Sequence, residues 1–199
     1  MMRIGLLGGS FDPVHIAHLS LAKTALEALS LDQVQLIPAA QPWQRPPLGA
    51  SPAHRLNMLR LATQDLKSIE INPIEIKRTG PTYTIETIEA LEPSHEYVWI
   101  LGADQLSNFC TWRKWSEIAQ RVQLAVAQRP GSNIQAPEAL TQFLDAHQRK
   151  LLVIPFEPLD ISATTVRQRL AHQQSASDLI PEVVERYIHE HGLYRPLTA

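Results

Sequence analysis

An α/β fold with a mostly parallel sheet covered by helices is predicted by two features of the sequence. Short β-branched or aliphatic runs alternate with longer segments of helical period, and the first such run ends in a glycine-rich turn that opens into a helix. The length, 199 residues, suits one domain, or one domain with a small appendage.

The first strand is Arg3 to Leu7, stopped by Gly8-Gly9-Ser10. Ile16, Leu19, Ala22, Ala25, Leu26 and Leu29 then recur at helical spacing before a second strand, Gln33 to Ile37. Between Ala39 and Ser51, Pro42, Pro46 and Pro47 break any periodicity, which predicts a long surface loop. A helix from Pro52 to Leu66 carries Leu56, Leu59, Ala62 and Leu66 on one stripe, bordered by Met58. Further strands are predicted at Glu70 to Asn72, Ile74 to Lys77, Tyr97 to Leu101, Gln123 to Ala127 and Leu151 to Ile154. Further helices are predicted at Thr84 to Leu91, Trp112 to Gln120, Pro137 to His147, Ala163 to Ala171 and Pro181 to His191. The last has the clearest ends, since Pro181 suits a first helical position and Gly192 a terminating left-handed turn. No internal repeat or low-complexity tract interrupts the chain. Residues 1–160 read as the core of a single domain and 161–199 as a helical C-terminal subdomain.

Composition excludes several classes of function. With 44% hydrophobic and 19% charged residues the chain is not disordered throughout. Lys and Arg number 18 against 20 Asp and Glu, a net charge of −2, which argues against binding nucleic acid through bulk positive charge. A small anion held at one local site stays open. The one cysteine, Cys110, can form no internal disulfide, so a reducing cytoplasm is expected. Ile4 to Leu7 is too short for a signal-peptide core, and no run approaches the length of a membrane span. A soluble, cytoplasmic protein without membrane or nucleic-acid partners is expected, and a homo-oligomer is neither required nor excluded.

Gly8-Gly9-Ser10-Phe11-Asp12-Pro13-Val14-His15-Ile16-Ala17-His18 follows the first strand. In open α/β sheets ligands collect beyond the carboxyl ends of strands, and glycines let them approach backbone N–H groups. His15 and His18, three apart at a helix start, share a face and can line a pocket for phosphate oxygens. The string is neither GxGxxG nor GxxxxGK[ST], and a two-histidine metal site lacks a third ligand beyond Asp12. Near the other end, Asp160-Ile161-Ser162-Ala163-Thr164-Thr165-Val166-Arg167 reads as a capped helix start, with Ser162 at the N-cap and Arg167 adding a cationic fork.

The whole string Gly8 to His18 resembles the signature of the nucleotidyltransferase superfamily with an HxGH element, and GGSFDPVH is similar to that of the bacterial nicotinate mononucleotide adenylyltransferases. Ser162 to Arg167 resembles the ISxTxxR motif of the same family, in the same order along the chain. The likeness extends to Gly192-Leu193-Tyr194-Arg195. It implies a Rossmann-like open parallel sheet, flanked by helices and ending in a small helical C-terminal extension. It also implies an ATP site made by Gly8, Gly9, Ser10, Phe11, His15, His18, Asp104, Ser162, Thr164 and Arg167, of which His15, His18 and Arg167 are catalytic. Pro81-Thr82-Tyr83-Thr84 and Leu101-Gly102-Ala103-Asp104, followed by Trp112, resemble the family's PSYT and LGAD…W segments. These imply that Thr84 and Trp112 face the nicotinate ring. Two departures stand out. Ala17 replaces the usual glycine, adding one methyl group, and Pro42-Trp43-Gln44-Arg45 replaces a PPHK-like element, leaving Arg45 as the basic residue beside a substrate phosphate.

The activity implied is transfer of AMP from ATP, with Mg²⁺, to nicotinate mononucleotide, giving nicotinate adenine dinucleotide and pyrophosphate in NAD biosynthesis. The competing readings are a superfamily adenylyltransferase with a phosphopantetheine or nicotinamide mononucleotide acceptor, and a non-catalytic nucleotide-binding module.

Overall fold

The computed structural model describes residues 1–40, 48–78, 80–131, 133 and 135–195. The chain begins with β1 (Arg3–Gly9), α1 (Ile16–Ala28), β2 (Gln33–Pro38), α2 (Pro52–Thr63) and β3 (Ile69–Ile71). It continues through α3 (Thr84–Glu89), β4 (Glu96–Leu101), α4 (Ala103–Ser107), a 3-10 helix at Phe109–Thr111, α5 (Trp115–Arg121) and β5 (Gln123–Gln128). It closes with α6 (Glu138–Ala146), β6 (Leu152–Pro155), α7 (Ala163–Ala171) and α8 (Glu182–Glu190).

Among the described residues the strands form one six-stranded sheet in the order β3-β2-β1-β4-β5-β6. All five pairings are parallel. This is the doubly wound, Rossmann-like order, and the chain reverses its direction of travel between β1 and β4. A crevice therefore opens beyond the carboxyl ends of those two strands. Helices cover both faces because alternate strand residues are apolar on each side. Val98 and Ile100 of β4 point into a core shared with α1, α2, α7 and α8. Trp99 and Leu101 point into the opposite core with α3 to α6. Val166 and Leu170 of α7 and Val184 and Ile188 of α8 join the same apolar cluster as Leu7, Phe11 and Val14.

Four readings from sequence are corrected. Ile74 to Lys77 is a turn, not a strand: Asn72 Oδ1 accepts the Ile74 N–H at 3.1 Å, and Lys77 N–H bonds Pro73 O at 3.2 Å. The helix predicted from Trp112 begins at Trp115, because Trp112 is extended (ψ 144°) and Lys114 is left-handed (φ 56°). A short helix, α4, forms where Gly102 to Asp104 suggested only a strand-end turn. On α2 the inward face is Arg55, Met58, Leu59 and Thr63. The stripe is thus centred one residue from the Leu56-based one.

Candidate active site

The turn after β1 is built so that its backbone crowds the crevice. Phe11 is left-handed (φ 46°) and fully buried. Its ring folds back over Gly9, where a Cβ would lie 3.1 Å from the ring, so glycine is needed there. Phe11 is thus a core plug whose side chain meets the edge of His18, 4.9 Å between ring centres. Gly8 packs beneath Trp99.

His15 is the N-cap of α1, and its ring stacks on His18 at 3.6 Å. His18 Nδ1 accepts the His15 backbone N–H at 3.2 Å, so in the neutral ring its proton sits on Nε2. Burial pushes His15 down to about 4 from its ordinary 6.5, so it is neutral at pH 7. Its Nδ1 is buried without a hydrogen-bond partner among the described residues. An unmet polar atom of this kind beside a helix N-terminus is a place for a ligand oxygen or water.

The second motif meets the first. Ser162 caps α7 by accepting the Thr165 N–H at 3.0 Å. Arg167 Nη1 donates to the Asp12 carbonyl at 2.7 Å, and Nη2 donates to Thr164 Oγ1 at 3.3 Å. Residues 155 positions apart are therefore joined at the carboxyl edge of the sheet. α1, α2 and α7 have no acidic residue in their first turns, whereas α3, α4, α5, α6 and α8 each do. Ahead of α2 the Asp12 carboxylate already takes the Gly49 and Ala50 N–H groups. The positive ends of α1 and α7 are left for an external anion.

Of the other predicted residues, Asp104 follows directly on the carboxyl end of β4. Asp104 is exposed in the first turn of α4. Thr84 is the first residue of α3, and Trp112, half-buried, lies 5.3 Å from Phe109 between ring centres. Arg113 links these two segments: its guanidinium lies 4.7 Å over the Tyr83 ring, and Nη1 is 3.3 Å from Glu86 Oε1. Arg45 lies outside the described residues, as does most of the predicted loop around it.

Residues 6–169 match the Cytidylyltransferase-like family. The chain belongs to that family. A Bordetella petrii relative named "probable nicotinate-nucleotide adenylyltransferase" is 57% identical over 195 residues, covering 98% of this chain and 100% of its own. One of the same name from Methylibium petroleiphilum is 38% identical, covering 98% of this chain and 93% of its own. Among solved structures, Plasmodium falciparum nicotinic acid mononucleotide adenylyltransferase complexed with NaAD aligns with a TM-score of 0.76 at 19% identity, over 98% of both chains. The form complexed with APC gives 0.74 over the same shares. At that identity the likeness is one of fold.

Within this cytidylyltransferase-like chain, the contacts that shape the site escape a reading by motif. Asp12, 2% exposed, accepts N–H groups from Gly49 (2.7 Å) and Ala50 (2.9 Å) and the Tyr194 hydroxyl (2.7 Å). Arg55, fully buried on α2, donates to Ser10 O at 2.6 Å and Ala40 O at 3.3 Å, tying the first turn to the end of β2. One signal for Arg55 was available: it is a cation in helical phase with Leu59 and Ala62.

Proposed function

We propose that the chain catalyses attack by the 5′-phosphate of nicotinate mononucleotide on the α-phosphorus of ATP, forming nicotinate adenine dinucleotide and releasing pyrophosphate, as its relatives' names describe. The observation that carries this reading is the joining of Arg167 to the Asp12 turn, which sets two acid-free helix N-termini, His15 and His18 at one crevice. The acceptor phosphate is already an anion, so no strong general base is needed. Rate enhancement comes from positioning and from charge stabilisation.

Gly8, Gly9, Ser10 and Phe11 offer backbone, while His15, His18, Ser162, Thr164 and Arg167 serve the triphosphate. Asp104 contacts the nucleotide; Thr84 and Trp112 contact the nicotinate ring, with Arg45 beside a substrate phosphate. A neutral His15 acts as a hydrogen-bonding group, and an arriving triphosphate raises its proton affinity. Among the described residues no three His, Cys, Asp or Glu side chains gather to hold a metal ion, and Asp12 is committed to its donors. Mg²⁺ brought with ATP would therefore be held mainly by the substrate and would supply charge neutralisation on the triphosphate.

No helix among the described residues is long and apolar enough to cross a membrane. Together with the lone half-buried Cys110, this supports the cytoplasm as the place of the reaction. Pyrophosphate release with ATP, Mg²⁺ and, in turn, nicotinate mononucleotide, nicotinamide mononucleotide and phosphopantetheine tests the reading. Fastest release with nicotinate mononucleotide is expected. ATP binding without release from any acceptor would mark a binding module instead.

A further inference from the structure

Tyr194 lies far along the chain from the first turn, yet its hydroxyl donates to Asp12 Oδ1 at 2.7 Å across 182 positions. Three separate features hold it there. Its backbone is left-handed (φ 60°), a conformation that a bulky side chain keeps only when its surroundings insist on it. Its ring lies over Gly49, where any Cβ would sit 3.0 Å from ring carbons. Its hydroxyl proton is held firmly, since burial and the Asp12 carboxylate both raise its pKa, so it is a fixed donor.

Asp12 is the pivot of this contact. Its carboxylate takes two backbone N–H groups ahead of α2 and the Tyr194 hydroxyl, while its carbonyl takes Arg167. Arg167 Nη1 also forms a long ion pair with Asp12 Oδ2 at 3.9 Å, one that would shorten if the carboxylate lost a donor. The Tyr194 hydroxyl, on Oδ1, and Arg167, beside Oδ2, therefore share the charge of Asp12.

We propose that Tyr194 is a positioning residue for the transfer reaction: by satisfying Asp12 it keeps the ion pair between Arg167 and that carboxylate long and leaves the remaining Arg167 N–H groups for the triphosphate. This rests on the adenylyl-transfer reading above. Tyr194 does not touch the reacting atoms, so its removal is expected to weaken the grip on ATP and not on the acceptor.

Tyr194→Phe keeps the ring over Gly49 and removes only the hydroxyl. Tyr187→Phe is the control, because the Tyr187 hydroxyl accepts from Asn57 at 3.1 Å and lies 2.9 Å from His54 Nδ1, outside the site. Both variants are expected to melt a few degrees lower. Tyr194→Phe alone is expected to raise KM for ATP about tenfold, the loss of one hydrogen bond to a charged group, with KM for nicotinate mononucleotide unchanged. An ATP KM within twofold of wild type, or equal rises for both substrates, would overturn the proposal. Calorimetric Kd values for ATP separate this from the underlying reading. Wild type that binds ATP without releasing pyrophosphate would sink the reaction, and the Kd ratio of Tyr194→Phe to wild type would still decide the role of Tyr194. Wild type that binds no ATP would overturn both.

Discussion

His15 is neutral at pH 7 because its ring is buried, which has a measurable consequence for stability. In the unfolded chain a histidine takes its proton near pH 6.5, whereas folded His15 holds off until about pH 4. Between those values the unfolded state binds more protons, so acidification favours unfolding. Stability from this group is complete above pH 6.5 and falls on descent toward pH 4, by at most about 1.4 kcal/mol per unit. Urea midpoints measured from pH 7 to 4.5 are expected to drop less steeply in His15→Asn, which keeps an N-cap side chain; parallel curves would refute the assignment. For catalysis, His18→Ala and Arg167→Ala are each expected to slow turnover on the order of 100-fold. Near-normal rates in both would remove the phosphate site from this turn. Arg55 is different, since its loss strands the Ser10 and Ala40 carbonyls. Arg55→Met is expected to destabilise the fold by about 3 kcal/mol in urea unfolding, with activity lost through the displaced turn.

At the scale of elements, β1 runs so close to its neighbours that Gly5 has no room for a side chain. A Cβ there would meet Leu31 Cδ1 at 2.7 Å and Val34 Cγ2 at 3.2 Å. Gly5→Ala is expected to destabilise by about 1–3 kcal/mol through overpacking, while KM values in the folded fraction stay within twofold; equilibrium unfolding and steady-state kinetics together check this. The strands and most helices were legible because their apolar period is strong: β1, β2, β4 and β5 all lie within a residue or two of expectation. Failures fell where a local hydrogen bond outcompetes period. Asn72 and Pro73 turn a run that contains two isoleucines, and left-handed Lys114 cuts the first turn from a helical pattern. The motifs were visible as strings of phosphate-seeking residues, but what aligns them was not. Asp12, Gly49, Arg55 and Tyr194 act through contacts that span 15 to 182 positions, and no local pattern records such contacts.

For the whole molecule, one of the two apolar cores depends on both ends of the chain. Val166, Leu170, Leu179, Ile180, Val184 and Ile188 cover the same sheet face as α1 and α2. A chain ending at Asp160 would expose Leu7, Phe11 and Val14, and is expected to lose near-UV circular dichroism and cooperative unfolding. A truncated chain that unfolds cooperatively would show that 161–199 is a separable unit. The link between Asp12 and Tyr194 also has a meaning in time. At roughly 5–20 residues per second a ribosome takes about 10 to 35 s to travel the 182 positions between them. Throughout that interval the nascent chain carries a first turn whose Asp12 carboxylate lacks its Tyr194 partner. On the proposed role of Tyr194, a product released before that residue is made is expected to bind ATP weakly.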